Sequence, residues 1–382
     1  MVRTFKRFSF LLGAVLLILG GCSSWRTSDV QQLNQQPIDR SEASEIVLDQ
    51  DPREETGLLE EAFSVDNGDG DEGEGQYSEV RESTGNEKDF YYIKSYSESM
   101  AQFSYFNQIY RYDPVRDQSV LLYETEEAIW VNELAAADHT VYWVEYLPED
   151  RIVYNVMQFD LDTGEAKCIA SRNNTGELCL SASDGYVTWY DQTLDDNNVS
   201  IVIYDVRKQE FLPIEDDVQL AAPYERLDIV DDGITYFSED EVGNLYINRY
   251  NLISKKKDSL MLGDKKNYDR LAGCFSDSEY IGWFEKYGSG PYYLYHVESG
   301  DLYCLEPSKG MNVFTARVSS GRLYVLDSSG KAVYIYDPAT GDTQYQKLSS
   351  GCIGLRFRQR VDGGLYLNAK EQGKDILFSI QE

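Results

Sequence analysis

One motif recurs seven times between residues 89 and 382, and that recurrence leaves few folds open. Each copy has an apolar or aromatic triplet, a polar loop, a second apolar segment ending in an aromatic and then Asp or another polar residue, and a tight turn that often holds Gly. The triplets are Phe90-Tyr91-Tyr92, Val141-Tyr142-Trp143, Val187-Thr188-Trp189, Ile234-Thr235-Tyr236, Ile281-Gly282-Trp283, Leu323-Tyr324-Val325 and Leu365-Tyr366-Leu367. The second segments end at Tyr112-Asp113, Phe159-Asp160, Tyr204-Asp205, Tyr250-Asn251, Tyr295-His296, Tyr336-Asp337 and Ile380-Gln381, spaced 47, 45, 46, 45, 41 and 44 residues apart. Within the segments, β-branched and aromatic residues alternate with polar ones. Asp162-Thr163-Gly164, Ser299-Gly300 and Ala339-Thr340-Gly341 mark tight turns, so the segments read as strands, and no amphipathic helix is expected after residue 60.

A period of 41 to 47 residues with four short strands per unit predicts an all-β fold, a seven-bladed β-propeller; six or eight blades are the alternatives. An inner strand precedes each triplet, as at Leu178-Cys179-Leu180, Leu227-Asp228-Ile229-Val230 and Val313-Phe314-Thr315. An outer strand follows the turn, as at Lys167-Cys168-Ile169. The last copy ends at Glu382 directly after its third strand, so its fourth is either missing or supplied by residues just before Phe90, which would close the ring. Length alone suggests two domains; the repeat predicts a single ring over 89–382.

The start of the chain carries an address. Arg3, Lys6 and Arg7 precede an apolar run from Phe8 to Leu19, too short to span a bilayer comfortably, which reads as a secretory signal over 1–21. Leu19-Gly20-Gly21-Cys22 resembles the lipobox of bacterial lipoproteins. That resemblance implies cleavage before Cys22, a lipid such as palmitate on its thiol, and a place on the outer side of the cell membrane or in the envelope. Residues 23–88 hold 18 acidic and 5 basic side chains with few apolar ones, so 22–88 is expected to be a lipidated Cys followed by a disordered, self-repelling tether. The acidic run Asp66 to Gly75 fails the calcium-loop spacing, since Glu72 stands where Gly is needed.

Charge and composition exclude several functions. With 35 basic against 66 acidic residues the net charge is −31, which argues against nucleic acid as a partner. Two His and no Cys-x-x-Cys leave little for metal centres, and no metal or cofactor is expected. Five Cys remain beside Cys22, an odd number; Cys168 and Cys304 fall on outer strands, and Cys179, Cys274 and Cys352 on inner ones, too far apart within a blade to bridge. They are read as small packing thiols. His139 and His296 are read as structural or solvent-facing.

The turn Tyr336-Asp337-Pro338-Ala339-Thr340-Gly341, with its counterpart Phe159 to Gly164, resembles turns of TolB-like and YncE-like propellers and of bacterial propeller lipoproteins across residues 89–382. The Trp-Asp dipeptide of WD40 blades and the sialidase-type Asp-box are not matched. This resemblance implies recognition and scaffolding rather than chemistry.

Thirty Tyr are present, and most sit at repeat positions where packing accounts for them. The loops joining second to third strands, and blade to blade, are expected to rim one face of the ring. Tyr96, Tyr146, Tyr224, Tyr268 and Tyr287 fall there, with acids such as Glu98, Asp195 and Glu239. Tyr224-Glu225-Arg226-Leu227 and Tyr268-Asp269-Arg270-Leu271 lie 44 residues apart, at equivalent positions of adjacent blades, so Arg226 and Arg270 are candidates to clamp an anionic group or to pair with a neighbouring blade's carboxylate. The first expectation is a membrane-anchored binding or scaffold module for a protein or glycan, with no catalytic residues assigned. The alternatives are a carboxylate-dependent glycan hydrolase or lyase, and an envelope structural protein without a small ligand.

Overall fold

The computed structural model describes residues 30–48, 53–54, 57–66, 77–85, 89–97, 105–113, 115–125, 130–137, 139–147, 150–173, 178–183, 185–192, 199–212, 214, 218–219, 227–268, 271–285, 290–306, 313–359 and 364–381. Seven four-stranded antiparallel blades form the ring, numbered here in chain order with strands counted outward from the channel. Blade 1 runs Tyr77–Gly85, Phe90–Ser97, Tyr105–Asp113 and Gln118–Glu124. Blade 2 runs Trp130–Ala137, Thr140–Leu147, Asp150–Asp160 and Glu165–Asn173. Blade 3 (Ser181–Ala182, Tyr186–Gln192, Val199–Asp205, Glu210–Leu212) is tied to blade 4 by the short strand Val218–Gln219. Blade 4 is Ile229–Val230, Gly233–Glu239, Asn244–Asn251 and Lys257–Asp264. Blade 5 is Gly273–Ser276, Tyr280–Phe284, Tyr292–His296 and Leu302–Leu305. Blade 6 is Val313–Ser319, Arg322–Asp327, Ala332–Tyr336 and Thr343–Lys347. Blade 7 takes Cys352–Gln359, Leu365–Glu371 and Lys374–Ile380 from the C-terminus and its fourth strand, Leu59–Asp66, from near the N-terminus.

The seven triplets all lie on second strands, whose alternating side chains fill the interfaces between blades. Trp143, Trp189 and Trp283 are fully buried there, with Tyr91, Tyr142, Tyr236 and Tyr324. Gly282 interrupts the pattern for a steric reason. A Cβ on it would stand 2.1 Å from the Phe275 ring of the neighbouring inner strand, so the ring occupies the volume that a side chain takes in other blades.

In blades 1 to 6 the polar residue ending the third strand shapes the turn to the fourth. Asp160 Oδ1 accepts from the N–H groups of Asp162 and Thr163, both at 2.9 Å, closing an Asx turn. Asp113, Asp205, Asn251 and Asp337 repeat this with the residues two and three ahead. His296 does the same work through Nδ1, which accepts from Ser299 N–H at 3.0 Å. His139 is exposed and lies 3.4 Å from Asp162. None of the five cysteines outside the signal region is bridged: Cys179, Cys304 and Cys352 are buried, Cys274 is half-buried, and Cys168 is exposed rather than packed.

The tether expected over 22–88 is corrected by the described part of that segment. Val30–Gln32 adds a fifth, parallel strand to blade 4, Ser44–Glu45 does so in blade 5 and Arg53–Glu54 in blade 6. Leu59–Asp66 then completes blade 7, and Tyr77–Gly85 is the inner strand of blade 1, so the ring does not begin at residue 89. The fourth strand of the last copy is therefore supplied from before Phe90. Outer strands present unpaired backbone groups, and the N-terminal segment covers those edges on blades 4 to 6. Sparse anchors hold it. Leu33 and Ile38 pack on the blade 4–5 core, Ile46 and Leu48 on the blade 5–6 core, and Phe63 between blades 7 and 1. Gly263, with φ of +118°, lets Pro37 come close; a Cβ there would stand 3.1 Å from the Pro37 Cβ. The signal region and Cys22 lie outside the described residues.

Candidate functional site

The channel wall of blades 3 to 6 is polar because inner strands meet there with small or charged side chains. Asp228, just before the inner strand of blade 4, receives Ser181 Oγ of blade 3 at 3.4 Å and stands 3.6 Å from Arg317 Nε of blade 6. Arg317 also donates to the Ala316 carbonyl at 2.9 Å and lies over the Phe275 ring at 5.7 Å. Thr235 and Ser276 hydroxyls join blades 4 and 5 at 2.5 Å, and Thr188 Oγ1 donates to the Leu227 carbonyl at 3.1 Å. Between Asp228, Thr235, Cys274, Ser276 and Arg317 remains a cavity of about 10 Å³, room for one water. These polar groups satisfy one another from blade to blade.

A second set of carboxylates follows the buried tryptophans at two residues' distance. Glu145 accepts from Trp143 Nε1 at 3.0 Å and from Tyr123 OH of blade 1 at 2.9 Å. Burial, and then the Glu145 charge, push the Tyr123 phenol well above its usual range. Asp191 sits 3.9 Å from Arg172; burial raises its pKa more than Arg172 lowers it. Glu285 pairs with Arg40 of the N-terminal segment. The sequence carries this signal as an acid two residues after each of three triplet tryptophans, Trp143-x-Glu145, Trp189-x-Asp191 and Trp283-x-Glu285. Glu145 and Glu285 have partners of their own, whereas Asp191 keeps a buried Oδ1 without a hydrogen-bond partner among the described residues; the three acids stand in separate settings, and paired-acid glycoside cleavage needs two carboxyls converging on one bond. Among the described residues no three His, Cys, Asp or Glu side chains gather as a metal site.

The predicted loop-face residues divide. Tyr224, Arg226, Arg270 and Tyr287 lie outside the described residues. Tyr96 stands near the end of the second strand of blade 1, opposite Tyr105. Tyr146 is half-buried at the equivalent end in blade 2, with its ring 6.4 Å from Tyr154. Tyr268 is buried instead of open to a ligand. Its hydroxyl donates to the Leu262 carbonyl at 2.9 Å, and the Arg40 guanidinium covers its ring at 4.5 Å. Burial pushes its phenol up to about 12. Two loop acids are also occupied: Asp240 accepts from Val242 N–H, Asn244 N–H and Tyr246 OH, and Glu239 takes Lys265 at 2.7 Å.

This geometry defines a seven-bladed β-propeller closed by its N-terminal strands. No family model and no curated protein matches the chain. Solved structures do match at the level of fold. The β-propeller domain of the Trilobed protease from Pyrococcus furiosus, described as having an open velcro topology, is 12% identical with a TM-score of 0.54, over 80% of this chain and 94% of that one. A chain of the mitotic checkpoint complex is 11% identical with a TM-score of 0.51, over 88% and 100%. A prolyl endopeptidase is 12% identical with a TM-score of 0.53, over 78% of this chain and 46% of its own. At these identities the likeness is one of fold.

Proposed function

We propose that the chain is a binding module, anchored through lipid on Cys22 at the outer side of a membrane, that recognises a protein or glycan with the loop face of its propeller. The observation that carries this reading is the use made of its polar groups: Asp228 meets Ser181 and Arg317 across blades, Trp143 and Tyr123 donate to Glu145, and Glu285 pairs with Arg40. Their chemistry goes into holding the ring. The loops that join second to third strands and blade to blade differ in length and sequence from copy to copy, as recognition surfaces do. Arg226 and Arg270 remain the anion-clamp candidates on that face, and Tyr224 the ring beside them.

The test is capture of partners from envelope extracts by the soluble chain beginning at Ser23, which keeps every described strand, alongside the Arg226→Ala/Arg270→Ala variant. A partner retained by the parent and lost by the folded variant supports the clamp. Glycan turnover by the purified chain would replace the reading with a catalytic one. For the anchor, Cys22→Ser should move the protein out of the membrane fraction, and wild type should incorporate a fatty-acid label.

A further inference from the structure

The point at which the chain joins the ring is set by backbone pairing. Val30 lies opposite Lys257 and Gln32 opposite Ser259, in parallel register with the fourth strand of blade 4. Because that strand starts from the third-to-fourth-strand turn, Val30 enters the ring at the turn end, opposite the loop face. Val30 follows Cys22 by eight residues, a reach of at most about 28 Å.

The turn at that point is unlike its counterparts. The six third-to-fourth-strand turns, from the last residue of one strand to the first of the next, carry charges of −1, −3, 0, +3, −2 and −2 in blades 1 to 6. Only blade 4, the blade that receives Val30, has a positive one, in a chain of net charge −31. Its sequence is Asn251-Leu252-Ile253-Ser254-Lys255-Lys256-Lys257. Ile253 is 61% exposed, and Ser254 and Lys256 point to solvent. Lys255 Nζ rests 5.4 Å from the Tyr186 ring of blade 3, where burial and then Lys208 lower its pKa. Three nearby acids are engaged, with Lys208 3.1 Å from Asp205 and 3.4 Å from Glu210, and Arg249 2.6 Å from Asp258; Asp231 and Asp232 are exposed on the adjacent turn of blade 4.

We propose that the Ile253–Lys257 turn of blade 4 is a docking surface for anionic lipid headgroups, which sets that rim of the ring on the membrane and turns the loop face away from it. The proposal rests on the anchoring of Cys22. Lipid on Cys22 confines the turn near the bilayer, exposed Lys256 is attracted to anionic headgroups with the buried Lys255 charge behind it, Ile253 enters the interface, and the negative turns of blades 1, 2, 5 and 6 are repelled.

The test places a fluorophore at Ser254→Cys or Val242→Cys, in a Cys168→Ser background, on the lipidated protein in vesicles containing phosphatidylglycerol and a headgroup quencher. Val242 is 82% exposed on the second-to-third-strand loop of the same blade and serves as the far marker. Quenching is expected at 254 and not at 242, and Lys256→Glu should reduce it. Lys266→Glu, an equal charge change at the opposite end of the fourth strand where the side chain is 90% exposed, should leave it intact. Equal quenching at both sites, or quenching at 254 that ignores both Lys256→Glu and the omission of phosphatidylglycerol, overturns the proposal. If wild type carries no lipid, the anchoring reading fails by itself and the surface is read from co-sedimentation of the soluble chain with the same vesicles. Each lysine near an anionic surface is worth about fivefold in partitioning, so Lys256→Glu, a change of two charges, should weaken binding roughly 25-fold. Equal loss with Lys266→Glu, or no preference for phosphatidylglycerol, overturns the proposal there too.

Discussion

Phe63→Ala tests whether the N-terminal segment is part of the ring. Phe63 is 2% exposed on the fourth strand of blade 7, opposite Leu377. Its ring stacks on Phe90 at 5.4 Å with 7° between planes and meets Tyr112 at 4.9 Å and Tyr92 at 5.7 Å, so it packs blade 7 against blade 1. Removing a buried Phe loses its transfer free energy and leaves a cavity, together about 3–5 kcal/mol. The aromatic contacts, at about 0.5–1.5 kcal/mol each beyond area, place the cost toward the upper end. Urea unfolding followed by tryptophan fluorescence reads this as a midpoint shift multiplied by the m-value. The exposed neighbour Glu61→Ala should stay within about 0.5 kcal/mol of wild type. If Phe63→Ala is as silent as Glu61→Ala, residues 59–66 do not close the ring and the assignment of blade 7 is wrong. A chain starting at residue 89 lacks two blade strands and should be insoluble, whereas one starting at Ser23 should fold.

Gly282→Ala should destabilise by about 1–3 kcal/mol through overpacking, and a double variant with Phe275→Leu should recover part of that, read by the same unfolding assay. Arg317→Ala leaves Asp228 without its guanidinium across the channel and should cost about 2–3 kcal/mol; pairing Arg317→Met with Asp228→Asn should restore most of it, and an additive double variant would refute the pairing. The Thr163 N–H, and more weakly the Asp162 N–H, hold the Asp160 carboxyl below its ordinary pKa of 3.8, so charge on Asp160 stabilises the folded state above that pH and the contribution is lost as pH falls through the lower folded value. Wild type should therefore exceed Asp160→Asn in stability at neutral pH and converge with it in acid, and a gap that persists in acid would refute the charge effect.

Strand identity, blade count and turn chemistry were legible in the sequence because they are local. The triplets, the Asp, Asn or His ending the third strands of blades 1 to 6, and the glycines of the turns act within a few residues of one another. Their recurrence at blade length repeats the answer until register is fixed. Seven blades followed from that periodicity; it left the last fourth strand either missing or supplied from just before Phe90, and the structure supplies it from Leu59–Asp66, while Tyr77–Gly85 goes to blade 1.

Tertiary structure alone decided the rest. Val30, Leu33, Ile38, Ile46, Leu48 and Phe63 are thinly spread through an acidic segment, and averaged composition reads them as a tether. Val30 stays exposed and is held by backbone pairing, whereas the other five gain their burial from a strand edge or blade interface over 200 residues away, or, for Phe63, also from the blade that follows it. Tyr268 looked like a ring open to a ligand until Arg40, 228 positions earlier, was laid across it. The lysine run at 255–257 is an unremarkable stretch in sequence, and becomes distinctive when the parallel pairing of Val30 brings the start of the ring to its side. Local sequence specifies conformation through short-range sterics and hydrogen bonds; which distant edges meet depends on the closed ring, whose contacts exist only once all seven blades are in place.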